Sequence, residues 1–454
     1  MLRVILTALT VTRAGDGLPV KPPADVGMSS SRLAAIERVV QRGIKAGGYP
    51  GASVVVGRKG VAVFEKGFGK LSWSSSSTPV DAERTIYDIA SLTKVVGTTT
   101  AIMILFDEKK IDLDASVVSY IPTFGGGDKD RVTVRQLLTH TSGLPAGRDI
   151  WRTAQTPLEA RAMVLGTPLE GRPGAQYIYS DLGADVLGLL VEVISGEPLD
   201  KFLQKRVFGP LGMNETFFRP SDSLRYRIAP TEVTPPRGYP LQGEVHDENA
   251  YALGGVAGHA GLFSTAADLS VFAQMMLNGG EYNGVQIISK PTVDLFISRA
   301  VGHRALGWDT ADGDYGSGRY LGPTAYGHTG FTGTSMWIDP EREMFVILLT
   351  NRVHAARALR PAKVISDVRA DLSDAAVLSV LDGPTVASKK STFRADREVG
   401  WNPPPPRASR RRHSTSKHHT IASSSARSRA SAAKKKASLK RPTARKTSSK
   451  KKSR

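Results

Sequence analysis

The chain has 454 residues, with 61 Lys and Arg against 42 Asp and Glu and a formal net charge of +19. Residues 389–454 carry 22 of those basic residues and 2 of the acidic ones, a net of +20, which leaves the rest at −1. That split excludes a basic nucleic-acid-binding fold for the body of the chain, and the absence of cysteine excludes disulfides, thiolate metal sites and a cysteine nucleophile.

In chain order, Val4 to Val11 is a short apolar run after one basic residue, and Thr12-Arg13-Ala14 passes for a small-residue cleavage site. Residues 1–22 therefore suit a signal segment and an unstructured leader equally. For the location, the periplasm, the outside of the cell or the envelope is slightly favoured over the cytoplasm. No apolar run reaches the roughly 18–20 residues that span a bilayer, so no integral membrane segment is expected.

The spacing of Leu33, Ile36, Val40 and Ile44 predicts an amphipathic helix over 29–46, stopped at Gly47-Gly48. Ala52–Val56 and Val61–Phe64 then read as a hairpin around Gly57-Arg58-Lys59-Gly60. A long apolar helix is predicted from about Ser91 to Lys109, and helical patterns dominate 111–304, among them Leu182–Ile194 and Ala267–Leu277. Strand character returns at Gly330–Ile338 and Met344–Thr350, read as two half-buried strands around Asp339-Pro340-Glu341-Arg342, and a last helix is predicted over about 361–381. Strands at both ends with helices between them indicate one mixed sheet built from both termini of a folded region, 23–383, plus a helical insertion.

Beyond Gly383 the composition changes. Pro403 to Pro406 form a stiff spacer, and residues 407–454 hold 18 basic residues, no acidic ones and no aromatics. Such a segment buries too little apolar surface to offset its ordering entropy, so 384–454 is expected to be a disordered tail. Its chemistry suits non-specific binding of an anionic polymer, whether nucleic acid or a cell-envelope polymer, through charge alone.

Ser91-Leu92-Thr93-Lys94 is an S-x-x-K pattern opening an apolar helix, which puts both side chains on one face. A serine hydroxyl needs a base to become a nucleophile, and a buried lysine can serve when its ammonium form is disfavoured. The same spacing recurs in the tail at Ser414, Ser431, Ser448 and Ser449, but within 1–383 it occurs only at Ser91. Tyr179-Ser180-Asp181 precedes a helix, where a tyrosine beside a cation relays protons and an aspartate commonly caps. Gly327-His328-Thr329-Gly330 enters a strand, where glycines let a ligand approach the backbone.

These three elements, in this order, resemble the serine β-lactamase and penicillin-binding-protein superfamily, in its class C and esterase-like branch. The resemblance covers about residues 23–380. It is strengthened by Leu137-Leu138-Thr139-His140-Thr141-Ser142-Gly143-Leu144, by Pro210-Leu211-Gly212-Met213 and by Gly258-His259-Ala260-Gly261-Leu262-Phe263-Ser264. It implies a β-lactamase/transpeptidase-like fold of the α/β (α+β) class, an antiparallel sheet flanked by helices. It implies Ser91 as the acylated nucleophile, Lys94 as its activator and Tyr179 as a proton shuttle. The oxyanion hole would come from the backbone N–H groups of Ser91 and Phe331, and substrate contacts from Asp181, His328, Thr329 and Gly330.

Two residues depart from the pattern. Asp181 stands where class C has asparagine, and either pairs with Lys94 or turns away as a helix cap. His328 stands where the family has lysine, and is expected to be charged only part of the time near neutrality. Both fit an esterase, or a peptidase or amidase acting on D-amino-acid derivatives such as D-alanyl peptides, better than efficient β-lactam hydrolysis. The expected activity is serine hydrolysis of a small-molecule or peptide ester or amide, without a cofactor or metal; His246-Asp247-Glu248-Asn249 reads as a polar loop rather than a metal cluster. The competing reading is a non-catalytic penicillin- or peptidoglycan-binding or sensor module using the same cleft.

Overall fold

Val-rich runs on either side of Lys59 and Gly60 form the hairpin that starts the sheet. Both turn residues have positive φ (48° and 84°), as a two-residue turn between twisted strands requires. The strands are β1 (Gly51–Arg58) and β2 (Val61–Gly69). The computed structural model describes residues 17–313, 316–354, 361–384 and 393–402. Later strands add β3 (Asp309–Thr310), β4 (Tyr326–Thr329), β5 (Ser335–Asp339) and β6 (Met344–Thr350). The order is β2-β1-β6-β5-β4-β3, and every pairing is antiparallel, as the resemblance implies and not mixed as the element order alone suggests. The two ends of the folded region thus meet where β1 pairs with β6, as the sequence pattern indicates.

Both faces of this sheet are covered. Val54, Val56, Met344, Val346 and Leu348 face α1 (Ala35–Lys45) and α5 (Ala362–Leu378), while Val55, Phe345, Ile347 and Leu349 face α4 (Ala266–Leu277) and the helical insertion. Successive strand residues point to opposite faces, so two covered faces demand an unbroken apolar run. That corrects the expectation of half-buried late strands: β6 is buried at every position.

Other boundaries also move. The first helix is two pieces, Ser30–Leu33 and Ala35–Lys45. The strand expected over 330–338 is a hairpin, with 330–334 a turn between β4 and β5. Within the expected leader, Leu18 is buried and Lys21 N–H donates to Ala62 O at 2.9 Å, extending the β2 edge. Residues 393–402, expected inside the tail, pack against α1 and α5 with Phe393, Ala395 and Trp401 buried. The apolar anchors there are too sparse to read from composition. The possible signal over 1–16, the proline spacer and the basic stretch 407–454 lie outside the described residues.

Trp401 is 4% exposed, and its indole N–H donates to Asp367 Oδ2 at 2.9 Å. Replacing it with alanine removes a buried aromatic and orphans an acceptor, so Trp401→Ala should cost about 3 kcal/mol. Urea denaturation checks this: a midpoint equal to that of the wild type would show that the segment contributes nothing to stability.

Candidate active site

The site begins with a strained residue. Ala90, just before Ser91, has φ 48°, a left-handed backbone that a non-glycine residue adopts only when held there. Asp88 holds it: Oδ1 accepts Ala90 N–H at 2.8 Å and Oδ2 accepts His246 N–H at 2.7 Å. From Ser91 the chain enters a helical run in which Lys94–Thr99 is a π-helical segment continued by α2 (Thr100–Asp107). The helix expected over 91–109 therefore carries an inserted wide turn, a feature that recurs at functional sites.

Lys94 is 3% exposed. Its Nζ donates to Ser91 Oγ at 2.9 Å and to the His259 carbonyl at 3.1 Å, and is ion-paired with Asp181 Oδ1 at 2.7 Å. The Tyr179 ring centre lies 4.9 Å from the same nitrogen. Burial works to lower this lysine, but the Asp181 carboxylate and Tyr179 outweigh it and hold the ammonium above its ordinary value.

Of the two fates open to Asp181, the structure shows the pair. Ser180 is the cap of α3 (Asp181–Ser195), its Oγ accepting Gly183 N–H at 3.1 Å, which leaves the Asp181 carboxylate free to turn toward Lys94. Asp185, one turn on, accepts from His259 Nδ1 at 2.7 Å, and Asp247 lies 2.9 Å from its Nε2. Burial opposes charge on that imidazole, but the two carboxylates raise it well above its ordinary value. His246 Nε2 meets Glu232 at 2.9 Å, so the His246–Asn249 stretch divides among separate partners. Among the described residues no group of three or more acids and histidines is placed to hold a metal ion.

The other wall is the turn after β4. A Cβ on Gly330 would fall 2.6 Å from Ile89 O and 2.1 Å from Thr334 Oγ1, so only glycine fits where this turn crosses the Ser91 segment. Thr332 and Thr334 hydroxyls donate to Asp88 O (2.8 Å) and Ile89 O (3.0 Å), and Arg369 of α5 donates to the carbonyls of Gly330 and Thr334. These bonds set the Ser91 and Phe331 backbones on two adjoining turns. The Phe331 side chain is 49% exposed, stacked on His246.

His328 differs from expectation. It is 2% exposed, and its Nδ1–H donates to Thr329 O at 2.8 Å. Burial, then the Arg304 and Lys94 charges, push it well below its ordinary value, so it is neutral near neutrality rather than partly charged. The cation here is Arg304, whose Nη1 is ion-paired with Asp309 at 2.9 Å, whose Nε donates to Tyr177 Oη at 3.1 Å, and whose guanidinium is 5.2 Å from the Tyr179 ring centre. Sequence reading placed no weight on Arg304, an isolated loop residue without a motif. His140 and His259 were visible only inside stretches that carried the resemblance.

A serine and a buried lysine joined at a helix start thus stand against a glycine turn of an antiparallel sheet. The beta-lactamase family model matches residues 36–369, and the chain belongs to that family. It is 33% identical over 397 residues to the Escherichia coli (strain K12) protein named "Putative D-alanyl-D-alanine carboxypeptidase", an alignment covering 78% of this chain and 91% of that protein. Its fold is similar to that of a penicillin-binding protein homologue from Caulobacter crescentus (TM-score 0.61, 21% identity, 78% of this chain and 99% of that one). It is also similar to that of a class C β-lactamase (TM-score 0.62, 19% identity, 78% and 98%).

Removing the Asp181 charge leaves burial as the larger influence on Lys94. In Asp181→Asn the ammonium should therefore lose its proton at lower pH than in the wild type. The Lys94 Cε chemical shift followed through a pH titration reads this directly, and coincident titrations would contradict the ion pair's effect.

Proposed function

We propose that this chain is a serine hydrolase working through an acyl-enzyme on the Ser91 oxygen, with D-alanyl peptides as its amide substrates. The observation that carries the reading is Lys94, whose ammonium touches Ser91 Oγ and Asp181 together, so a proton leaving the serine has a path. Because Lys94 rests as an ammonium, it acts as a relay: it passes one proton to Asp181 as it accepts the serine's. Ser91 Oγ then bonds the substrate carbonyl carbon, and the oxyanion is received by the backbone N–H groups of Ser91 and Phe331. On collapse the C–N bond breaks, the leaving nitrogen takes a proton from Lys94 through the Tyr179 hydroxyl, and Asp181 returns its proton to Lys94. Water attacking the acyl ester retraces the path and frees Ser91. The name of the Escherichia coli relative, a D-alanyl-D-alanine carboxypeptidase, supports the peptide substrate.

His328 favours a second reading, an esterase for small uncharged esters. Its neutral ring has given its one N–H to Thr329, so it offers a substrate carboxylate no charge, which a family lysine would.

A fluorescent fluorophosphonate should label the wild type and not Ser91→Ala, and that substitution should reduce turnover by about 10³-fold or more. Equal labelling of a folded Ser91→Ala protein would sink the acyl-enzyme reading. Across a panel of D-alanyl dipeptides, short esters and β-lactams, dipeptides turned over fastest would support the first reading and esters alone the second. Labelling without any turnover would point to a binding module.

A further inference from the structure

Among the described residues no strand pairs with the segment that carries Tyr179, yet its hydroxyl has to meet a leaving group. We propose that His140 is the positioning residue for Tyr179, gripping the chain on either side of it through two acceptors; this rests on the proton-transfer role given to Tyr179 above. The His140 carbonyl accepts Ile178 N–H at 2.8 Å. Its ring Nδ1 accepts Ser180 N–H at 3.0 Å. Residues 178 and 180 are thus both tied to one residue, with Tyr179 between them. The His140 ring also lies against the tyrosine, ring centres 4.7 Å apart and tilted 37°. Ser180 is locked further by donating to Pro145 O at 2.6 Å.

Two features mark His140 as more than filler. Its φ is 56°, a left-handed conformation disfavoured for a residue with a side chain, and it bends the chain so that carbonyl and ring face the same segment. Its ring is also held in the state that the grip needs. For Nδ1 to accept, the imidazole must be neutral with its hydrogen on Nε2. Burial disfavours the charged ring, and the facing cations Arg304 and Lys94, with His328, push it well below the ordinary histidine value. Tyr177, edge-on at 6.2 Å, completes the surroundings.

The test separates conformation from the acceptor. His140→Gly adopts the left-handed backbone freely but has no ring acceptor. His140→Asn tolerates that backbone and places Oδ1 near the position of Nδ1. With the best substrate of the panel, kcat should fall about 10²-fold in H140G with KM nearly unchanged, while H140N stays within about fivefold of wild type. A wild-type kcat in H140G, or an H140N as slow as H140G, overturns the assignment. If H140G melts early, H140Q, whose acceptor reaches past Ser180, replaces it in the comparison with H140N, and equal kcat values again overturn it. Absence of Ser91-dependent fluorophosphonate labelling in the wild type would sink the acyl-enzyme reading and this role with it. Labelling and turnover undiminished in H140G sink this role alone.

Discussion

A buried ammonium sets the terms for the centre of this molecule. Taking a lysine out of water costs several kcal/mol unless it is paired and hydrogen-bonded. Lys94 meets that demand with an acid on α3, a carbonyl from the 258–261 segment and the hydroxyl of its own helix start. Those groups lie far apart in sequence, so the ammonium is satisfied only when the helical insertion closes on the segment that leads in from the first hairpin. The partners themselves need support. His259 can present its carbonyl because its ring is clamped between Asp185 and Asp247, and Asp185 shares α3 with Asp181. One charge therefore organises a chain of polar contacts reaching well beyond its own bonds.

The second constraint is conformational. Ala90 is held left-handed, which costs of order 1–3 kcal/mol unless the surroundings over-determine it. The surroundings do: Asp88 takes its N–H, two threonines of the 330–334 turn take the carbonyls of residues 88 and 89, and Gly330 allows the contact. Arg369 then ties that turn to α5, a helix on the far side of the sheet. The serine-bearing turn is thus anchored to the sheet that both ends of the folded region build, and sheet packing and site geometry are one structure.

What could be read from the sequence was what is local in it. Ser91 and Lys94 share a helix face by spacing, the first hairpin is written in valines and a glycine turn, and α3 ends at Gly196 in the left-handed cap that glycine permits. The misread pieces have long-range causes. Gly330 to Thr334 runs without a break into the strand residues Ser335–Asp339, but Gly333 at φ 109° and the close pass of the Ser91 segment make it a turn. Residues 393–402 are rich in charge and are kept by two aromatics that find their pockets only on the finished helices. Arg304 acts on Tyr177, 127 residues away, and no periodicity announces such a contact.

The two departures from the family pattern are linked by charge balance. Around Tyr179 stand two cations, Lys94 and Arg304, each paired with an acid, Asp181 and Asp309. With His140 and His328 neutral, this buried group sums to zero. A lysine at position 328 would add a third cation whose nearest acid, Asp309, is already taken by Arg304 and stands 3.9 Å from the present imidazole. An unpaired buried charge costs far more than a neutral ring that satisfies its own N–H on Thr329. Once Arg304 occupies this wall, histidine is the side chain that position 328 can bury. The aspartate at 181 matches it, supplying to Lys94 the negative charge that an amide could not.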